Sequence, residues 1–294
     1  MFNEIREILE KLNLPSADSN NLPSSNKRFG DGGHFRIEIP STNSLSFLET
    51  VMNESKRLGV KINRVTETYG MFRHTEDEIE EMVALCASAG YEFIMSIGPR
   101  ATYDTSATAG SSQGKTVAYR LRGMEQIVRA IADVYRGLCL GVKSFLVYDE
   151  GLLMVLGEMR KQKYIAQDIT FKVSAHCGHG NPASFRLLEQ LGASSINPVR
   201  DLDLPMLAAL RQTVDVPIDC HTDTPSTSGG FIRTYEAPEM VRIAAPVYLK
   251  VGTSALTAHG TKATKEIALN MVRQAVIILE MVTRYYPTAI QSDI

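Results

Sequence analysis

The chain is expected to form an α/β fold, one (β/α)8 TIM barrel with an N-terminal helical arm, and three observations lead there. Short apolar runs alternate eight times with segments of helical periodicity. Six of the seven intervals between run starts are 23 to 30 residues, and one, from 92 to 144, is 52. The 294 residues also match the roughly 250 that one such barrel needs. Repeated β-α units at this spacing require parallel strands with right-handed crossovers, and eight of them close a sheet on itself.

The strands are expected at 34–40, 62–68, 92–99, 144–150, 170–177, 194–198, 217–223 and 247–252. Each is followed by an apolar stripe at helical spacing. Leu48, Val51 and Met52 follow the first strand, then Ile79, Met82, Val83 and Cys86 the second, and Met124, Ile127, Ile131 and Tyr135 the third. Leu152, Val155, Leu156 and Met159 follow the fourth, Leu187, Leu188 and Leu191 the fifth, and Leu204, Leu207 and Leu210 the sixth. Met240, Val241 and Ala244 follow the seventh, and Ile267, Met271 and Val272 lie in the last and longest helix. Asn181-Pro182 reads as an N-cap with proline at the first helical position. Gly59, Gly90, Gly141 and Gly192 stand just past helices, where a left-handed residue is wanted. Residues 1–33 fall outside the rhythm: Ile5, Ile8, Leu9 and Leu12 make a short amphipathic helix, and a Ser/Asn/Pro-rich linker follows. The helix either plugs the bottom of the barrel, 34–294, or packs on a second copy of the chain. The long interval after the third strand, with its Ser/Thr/Gly-rich run to Gly114, has the length of a lid.

Bulk composition removes several function classes. The chain is 44% hydrophobic and 22% charged with a net charge of −2, so it carries no electrostatic footprint for nucleic acid. Met1-Phe2-Asn3-Glu4-Ile5 lacks the layout of a signal peptide, and no run of about 18 apolar residues could span a bilayer. Cys86, Cys139, Cys177 and Cys220 form no C-x-x-C pair, which suits a reducing, cytoplasmic setting.

Function is signalled by polar residues where a barrel interior should be apolar. Lys172, Ser174 and His176 alternate with Phe171, Val173, Ala175 and Cys177; Asp219, His221 and Asp223 alternate with Ile218 and Cys220. Arg36 and Glu38 do the same in the first strand, Arg64 stands in the second, and Tyr248 and Lys250 in the eighth. Burying so many charges for stability alone is usually worse than packing apolar side chains, so a ligand is expected among them. Lys172, Asp219, Glu38, His176 and Lys250 are the candidate catalytic groups, with Lys172 and Asp219 as the leading pair. Arg36, Arg64, Arg100, Asp149, Glu150, Asn197, Ser228, Gly229 and Gly230 are the candidate substrate contacts.

Three chemistries use these residues. A desolvated lysine near other cations, Lys172 or Lys250, becomes an imine-forming nucleophile or a base. His176, Asp219, His221 and Glu150 are donors suited to a divalent Zn, Mn or Mg ion. Thr227-Ser228-Gly229-Gly230 and Gly252-Thr253-Ser254 follow the last two strands, where phosphate groups bind in this fold. Cys177 and Cys220 fall on the helix-facing side and read as packing residues.

Several segments resemble a known group. Phe35-Arg36-Ile37-Glu38-Ile39-Pro40, Gly98-Pro99-Arg100, Tyr148-Asp149-Glu150-Gly151, Asn181-Pro182-Ala183-Ser184-Phe185 and Val247-Tyr248-Leu249-Lys250 are similar to bacterial barrel proteins labelled collagenase-like peptidases, the U-thirty-two family. The resemblance covers about residues 30 to 285. It implies a barrel and a cytoplasmic bacterial hydrolase, a peptidase acting on a small polar or peptide-like substrate. An aldolase-type lyase using a strand lysine and a ligand-binding barrel without catalysis are the other readings.

Overall fold

The computed structural model of the chain describes residues 2–17, 22–99, 111–112, 114, 118–257 and 263–293. Arg100 and most of the expected lid lie outside them. Eight parallel strands close into a barrel in sequence order: β1 (Phe35–Pro40), β2 (Arg64–Thr66), β3 (Glu92–Ser96), β4 (Ser144–Val147), β5 (Thr170–Val173), β6 (Ser195–Ile196), β7 (Ile218–His221) and β8 (Val247–Lys250). The closing pair is β1 with β8, in the register Arg36 to Tyr248 and Glu38 to Lys250. After α1 (Phe2–Lys11), the helices around the barrel are α2 (Leu45–Leu58), α3 (Glu76–Ala89), α4 (Gly123–Cys139), α5 (Glu150–Lys161), α6 (Pro182–Gln190), α7 (Leu204–Thr213), α8 (Ala237–Ala244) and α9 (Lys265–Tyr285).

The period-2 pattern of the strands sorts side chains between two environments. Phe35, Ile37, Ile39, Val65, Phe145, Phe171, Ile196, Ile218, Val247 and Leu249 point outward and join the helix stripes in one large core. Inside the barrel, the apolar packing is a small separate cluster of Ile94, Leu146 and Tyr148. The rest of the interior is polar. Caps fix where each helix begins: Thr75 and Glu78 form a reciprocal capping box on α3, and Asn181 and Asp203 accept from the first turns of α6 and α7.

The strands are shorter at their C-terminal ends than the sequence pattern suggests, because polar side chains divert the backbone into turns. After Val173 the Ser174 hydroxyl accepts from the His176 amide at 3.2 Å, and Ala175–Cys177 is a 3-10 turn. His176 is therefore not a strand residue in line with Lys172. Likewise Asp149 is the N-cap of α5, accepting from the Leu152 amide at 3.0 Å, and Glu150 opens that helix.

The barrel floor is not closed by α1. Phe29 covers it, with its ring 4.2 Å from the Arg36 guanidinium and edge-on to Tyr248. Residues 290–293 run beside β1, where Ser292 donates its amide to the Phe35 carbonyl and its carbonyl accepts from Asn63. The linker is strapped beneath α8, with the Ser25 amide on the Arg242 carbonyl and Arg242 on the Leu22 carbonyl. By contrast, Ile5 and Ile8 of α1 stay about half exposed, at 47% and 55%, and Arg186 holds the helix end by the Leu12 and Asn13 carbonyls.

Candidate active site

Two storeys of polar side chains fill the barrel above the floor. The lower one is an ion-pair network. Glu38 accepts from Arg64 Nε at 2.9 Å and from Nη2 at 2.5 Å, and from Lys172 Nζ at 2.5 Å on each oxygen. Thr66 adds a hydroxyl at 2.8 Å. The same Nη2 of Arg64 also pairs with Asp219, which accepts from Ser195 at 2.9 Å as well. Lys172 Nζ lies 3.9 Å from Asp219. Glu38, Arg64, Lys172 and Asp219 are all buried, and two carboxylates face two cations. The network is thus locally neutral and its hydrogen-bonding valence is largely spent.

Burial alone would push the Glu38 carboxyl up, but Arg64, Lys172 and Lys250 outweigh it and hold its pKa well below the ordinary value. Burial pulls the Lys172 amine down to about 7, reinforced by Arg64 and resisted by Asp219 and Glu38. The leading sequence pair, Lys172 with Asp219, lies within this closed layer. Arg36 lies lower still, bonded to Tyr248 at 2.9 Å and Ser292 at 2.9 Å, with Glu92 3.8 Å away. It belongs to the floor and not to the mouth where substrate contacts were expected.

The upper storey opens toward the C-terminal ends of the strands. A cavity there is lined by Ser174, His176, Asn197, Arg200, His221, Ser228 and Lys250, together with Pro40, Leu146 and Thr253. Its volume is about 30 Å³, against the roughly 10–15 Å³ that one water requires. It admits a small functional group, with any remainder of a ligand lying toward the mouth. Lys250 Nζ donates to Asn197 Oδ1 at 2.7 Å and stands 3.6 Å from Glu38. It joins the two storeys. Burial lowers its pKa, as do Arg200 and Arg64, against the pull of Glu38 and Asp219.

His221 is buried with no protein partner at either ring nitrogen. Burial, then Lys250 and Arg200, depress its pKa well below the usual histidine range, so the ring is neutral at pH 7. His176 stacks on Tyr119 at 4.2 Å between ring centroids and meets Arg200 Nη2 at 3.1 Å through Nε2. Arg200 was not among the residues expected from the sequence. It stands in the loop after β6, and the signal available was a cation just past a strand end, on the face where barrel sites are built.

The metal and phosphate expectations meet different geometry. No group of three or more His, Cys, Asp or Glu able to hold a metal ion occurs among the described residues. Asp219 is committed to Arg64 and Ser195, and Glu150 pairs with Arg120 and His179. The set His176, Asp219, His221 and Glu150 therefore does not fit a divalent ion. After β8, the backbone amides of Gly252 and Ser254 point at an anion of the chain's own, the Asp223 carboxylate, at 2.7 and 2.6 Å. The amides of Ser228, Gly229 and Gly230 close turns onto Pro225 and Ser226 carbonyls. The amides of Gly252, Ser254, Ser228, Gly229 and Gly230 are thus taken within the chain, although Ser228 does line the cavity. Asp223→Ala strands the buried Gly252 amide, at about 1–3 kcal/mol, and removes a part-buried bond to the Ser254 amide as well. A urea-unfolding loss of about 2 kcal/mol or more is expected, and an unchanged midpoint would show the amides satisfied elsewhere.

No family model matches the chain, and no curated protein does. Solved structures are similar in fold. A U32 peptidase is 20% identical over 70% of this chain and 74% of its own, with a TM-score of 0.44. The truncated 3-deoxy-D-arabino-heptulosonate 7-phosphate synthase of Thermotoga maritima is 12% identical, covers 92% and 95%, and has a TM-score of 0.50. D-psicose 3-epimerase of Clostridium cellulolyticum H10 is 11% identical, covers 85% and 98%, and scores 0.47. The likeness lies in the barrel. A shared barrel does not transfer chemistry, which must be argued from the site. Among the described residues, no helix is long and apolar enough to cross a membrane.

Proposed function

We propose that the protein is an aldolase-type lyase that forms an imine between Lys250 and a small carbonyl compound at the barrel mouth. One observation carries the reading: of the two interior lysines, Lys250 lines the cavity and Lys172 does not. Its lowered pKa raises the share of free amine at neutral pH, and a free amine is the nucleophile that imine formation needs. The amine adds to the carbonyl carbon, a C–N bond forms, and the carbonyl oxygen leaves as water, taking one proton from the amine and one from solvent at the mouth. The resulting iminium draws the electron pair of a C–H bond on the adjacent carbon, whose proton passes to neutral His221, or of the C–C bond one carbon further out, whose far fragment leaves as a carbonyl compound while its hydroxyl proton passes to His221. Asn197 Oδ1 holds the amine in place before attack.

Hydrolysis has less to stand on. The Ser174 hydroxyl is turned to the His176 amide, and His176 Nε2 faces Arg200. Burial raises the thiols of Cys177 and Cys220 to about 12, which leaves them unreactive near neutral pH.

The test is reductive trapping. The full chain is incubated with glyoxylate, pyruvate, acetaldehyde or glyceraldehyde and cyanoborohydride, and then weighed by intact mass spectrometry. One adduct per chain, mapped to Lys250 by peptide mass and lost in Lys250→Met, is expected. Adducts that persist unchanged in Lys250→Met, or none from any carbonyl, would reject the imine.

A further inference from the structure

The cavity has a charge imbalance that the ion-pair layer beneath it does not share. Arg200 and Lys250 line it, with two imidazoles and several hydroxyls, and no aspartate or glutamate does. The two interior carboxylates nearest to it, Glu38 and Asp219, are already matched by Arg64 and Lys172. Arg200 has no carboxylate within ion-pair distance among the described residues, and its one side-chain hydrogen bond runs to His176 Nε2. The Arg200 side chain is half-buried with most of its donors unspent, so an anion entering from the mouth gains charge-assisted hydrogen bonds there in exchange for water. His221, buried and unpartnered on the same wall, is a second polar group left for a ligand to satisfy.

The kind of anion follows from what else is present. Phosphate in this fold relies on free backbone amides after the last two strands, and here Asp223 and local turns occupy them. What remains is a single planar fork over a small chamber, which suits a carboxylate taken up through two parallel N–H···O bonds. We infer that the ligand is a small 2-oxo acid whose carboxylate pairs with Arg200 and whose adjacent carbonyl faces Lys250. The inference rests on the imine reading for its carbonyl half and stands independently for its carboxylate half.

Two measurements separate the halves. In the first, oxamate, a 2-oxo acid isostere with an unreactive carbonyl, is titrated calorimetrically into the full chain, with inorganic phosphate as competitor. Binding is expected, with a loss of about tenfold or more in Arg200→Gln, partial recovery in Arg200→Lys, and little competition from phosphate. Equal affinity in Arg200→Gln, or displacement by phosphate at similar concentration, would overturn the carboxylate assignment. In the second, glyoxylate and acetaldehyde are compared in the trapping reaction on the unaltered protein, so the outcome does not depend on any variant folding. Glyoxylate is expected to be trapped at Lys250 at least about tenfold faster. Equal rates at Lys250 would keep the imine and discard the 2-oxo acid. Oxamate binding that needs Arg200, without trapping of any carbonyl, would keep the carboxylate site and discard the imine.

Discussion

Replacing Glu38 with glutamine is expected to remove about 3–5 kcal/mol of unfolding free energy, the range for leaving a buried charge without its partner. The carboxylate is the hub of the lower storey: Arg64, Lys172 and Thr66 all donate to it. With an amide in its place, Asp219, and Glu92 3.9 Å from Arg64, are left to face Arg64, Lys172 and Lys250. The pH dependence gives the sign of the effect. The native carboxyl has a depressed pKa, so its contribution is complete above the unfolded value of about 4.3 and disappears as pH falls through the native one. The gap between parent and Glu38→Gln, measured by urea unfolding, should therefore be widest near pH 7 and narrow steadily on acidification below about 4.3. A gap that stays constant with pH would mean that lost packing, not lost charge, is responsible. The double variant Glu38→Met with Lys172→Met leaves the Arg64–Asp219 pair intact and should recover most of the loss, since exchanging both charges for apolar groups is often neutral.

Replacing His221 with leucine is expected to do the opposite to stability. Both ring nitrogens are buried without a protein partner, so an apolar side chain of similar size should leave unfolding free energy unchanged or raise it by about 1–3 kcal/mol. Turnover of a 2-oxo acid bound as the imine, measured without reductant, should fall by roughly 10²–10⁴-fold, the usual contribution of a general base. Acid should sharpen the contrast. The native ring resists protonation, whereas the unfolded chain takes up a proton below about pH 6.5, so the parent loses stability there. Leucine has no such liability, and its advantage should grow as pH drops. A marked loss of stability in His221→Leu at pH 7 would show that the ring is held by interactions the hydrogen-bond geometry does not reveal.

The barrel was legible in the sequence because its signals are local and repeated. Alternation along β1, β5, β7 and β8 separated outward apolar from inward polar residues, and the eight-fold spacing supplied closure. Which polar residues face a ligand was not legible. Lys172 and Lys250 look alike in sequence, yet one is consumed by Glu38 and the other lines the cavity, a difference set by strand stagger between residues 134 positions apart. Strand ends were overestimated for a related reason. The Ser174 and Asp149 side chains capture nearby amides and redirect the backbone, which moved His176 off its strand and made Asp149 and Glu150 part of a helix start. The amides after β8 looked open to phosphate because Asp223, which fills them, lies 29 residues before Gly252. The U-thirty-two resemblance implied the barrel that the structure has, and a barrel by itself leaves the chemistry to be argued from the site.

The layered interior also separates two histories of mutation. Strand residues 38, 64, 172 and 219 must change together if they change at all, since each satisfies another. Residues 200 and 228 belong to loops and stand outside that mutual dependence. A lineage could exchange the contents of those loops, and so move to a new compound, while the charged layer beneath stayed as inherited.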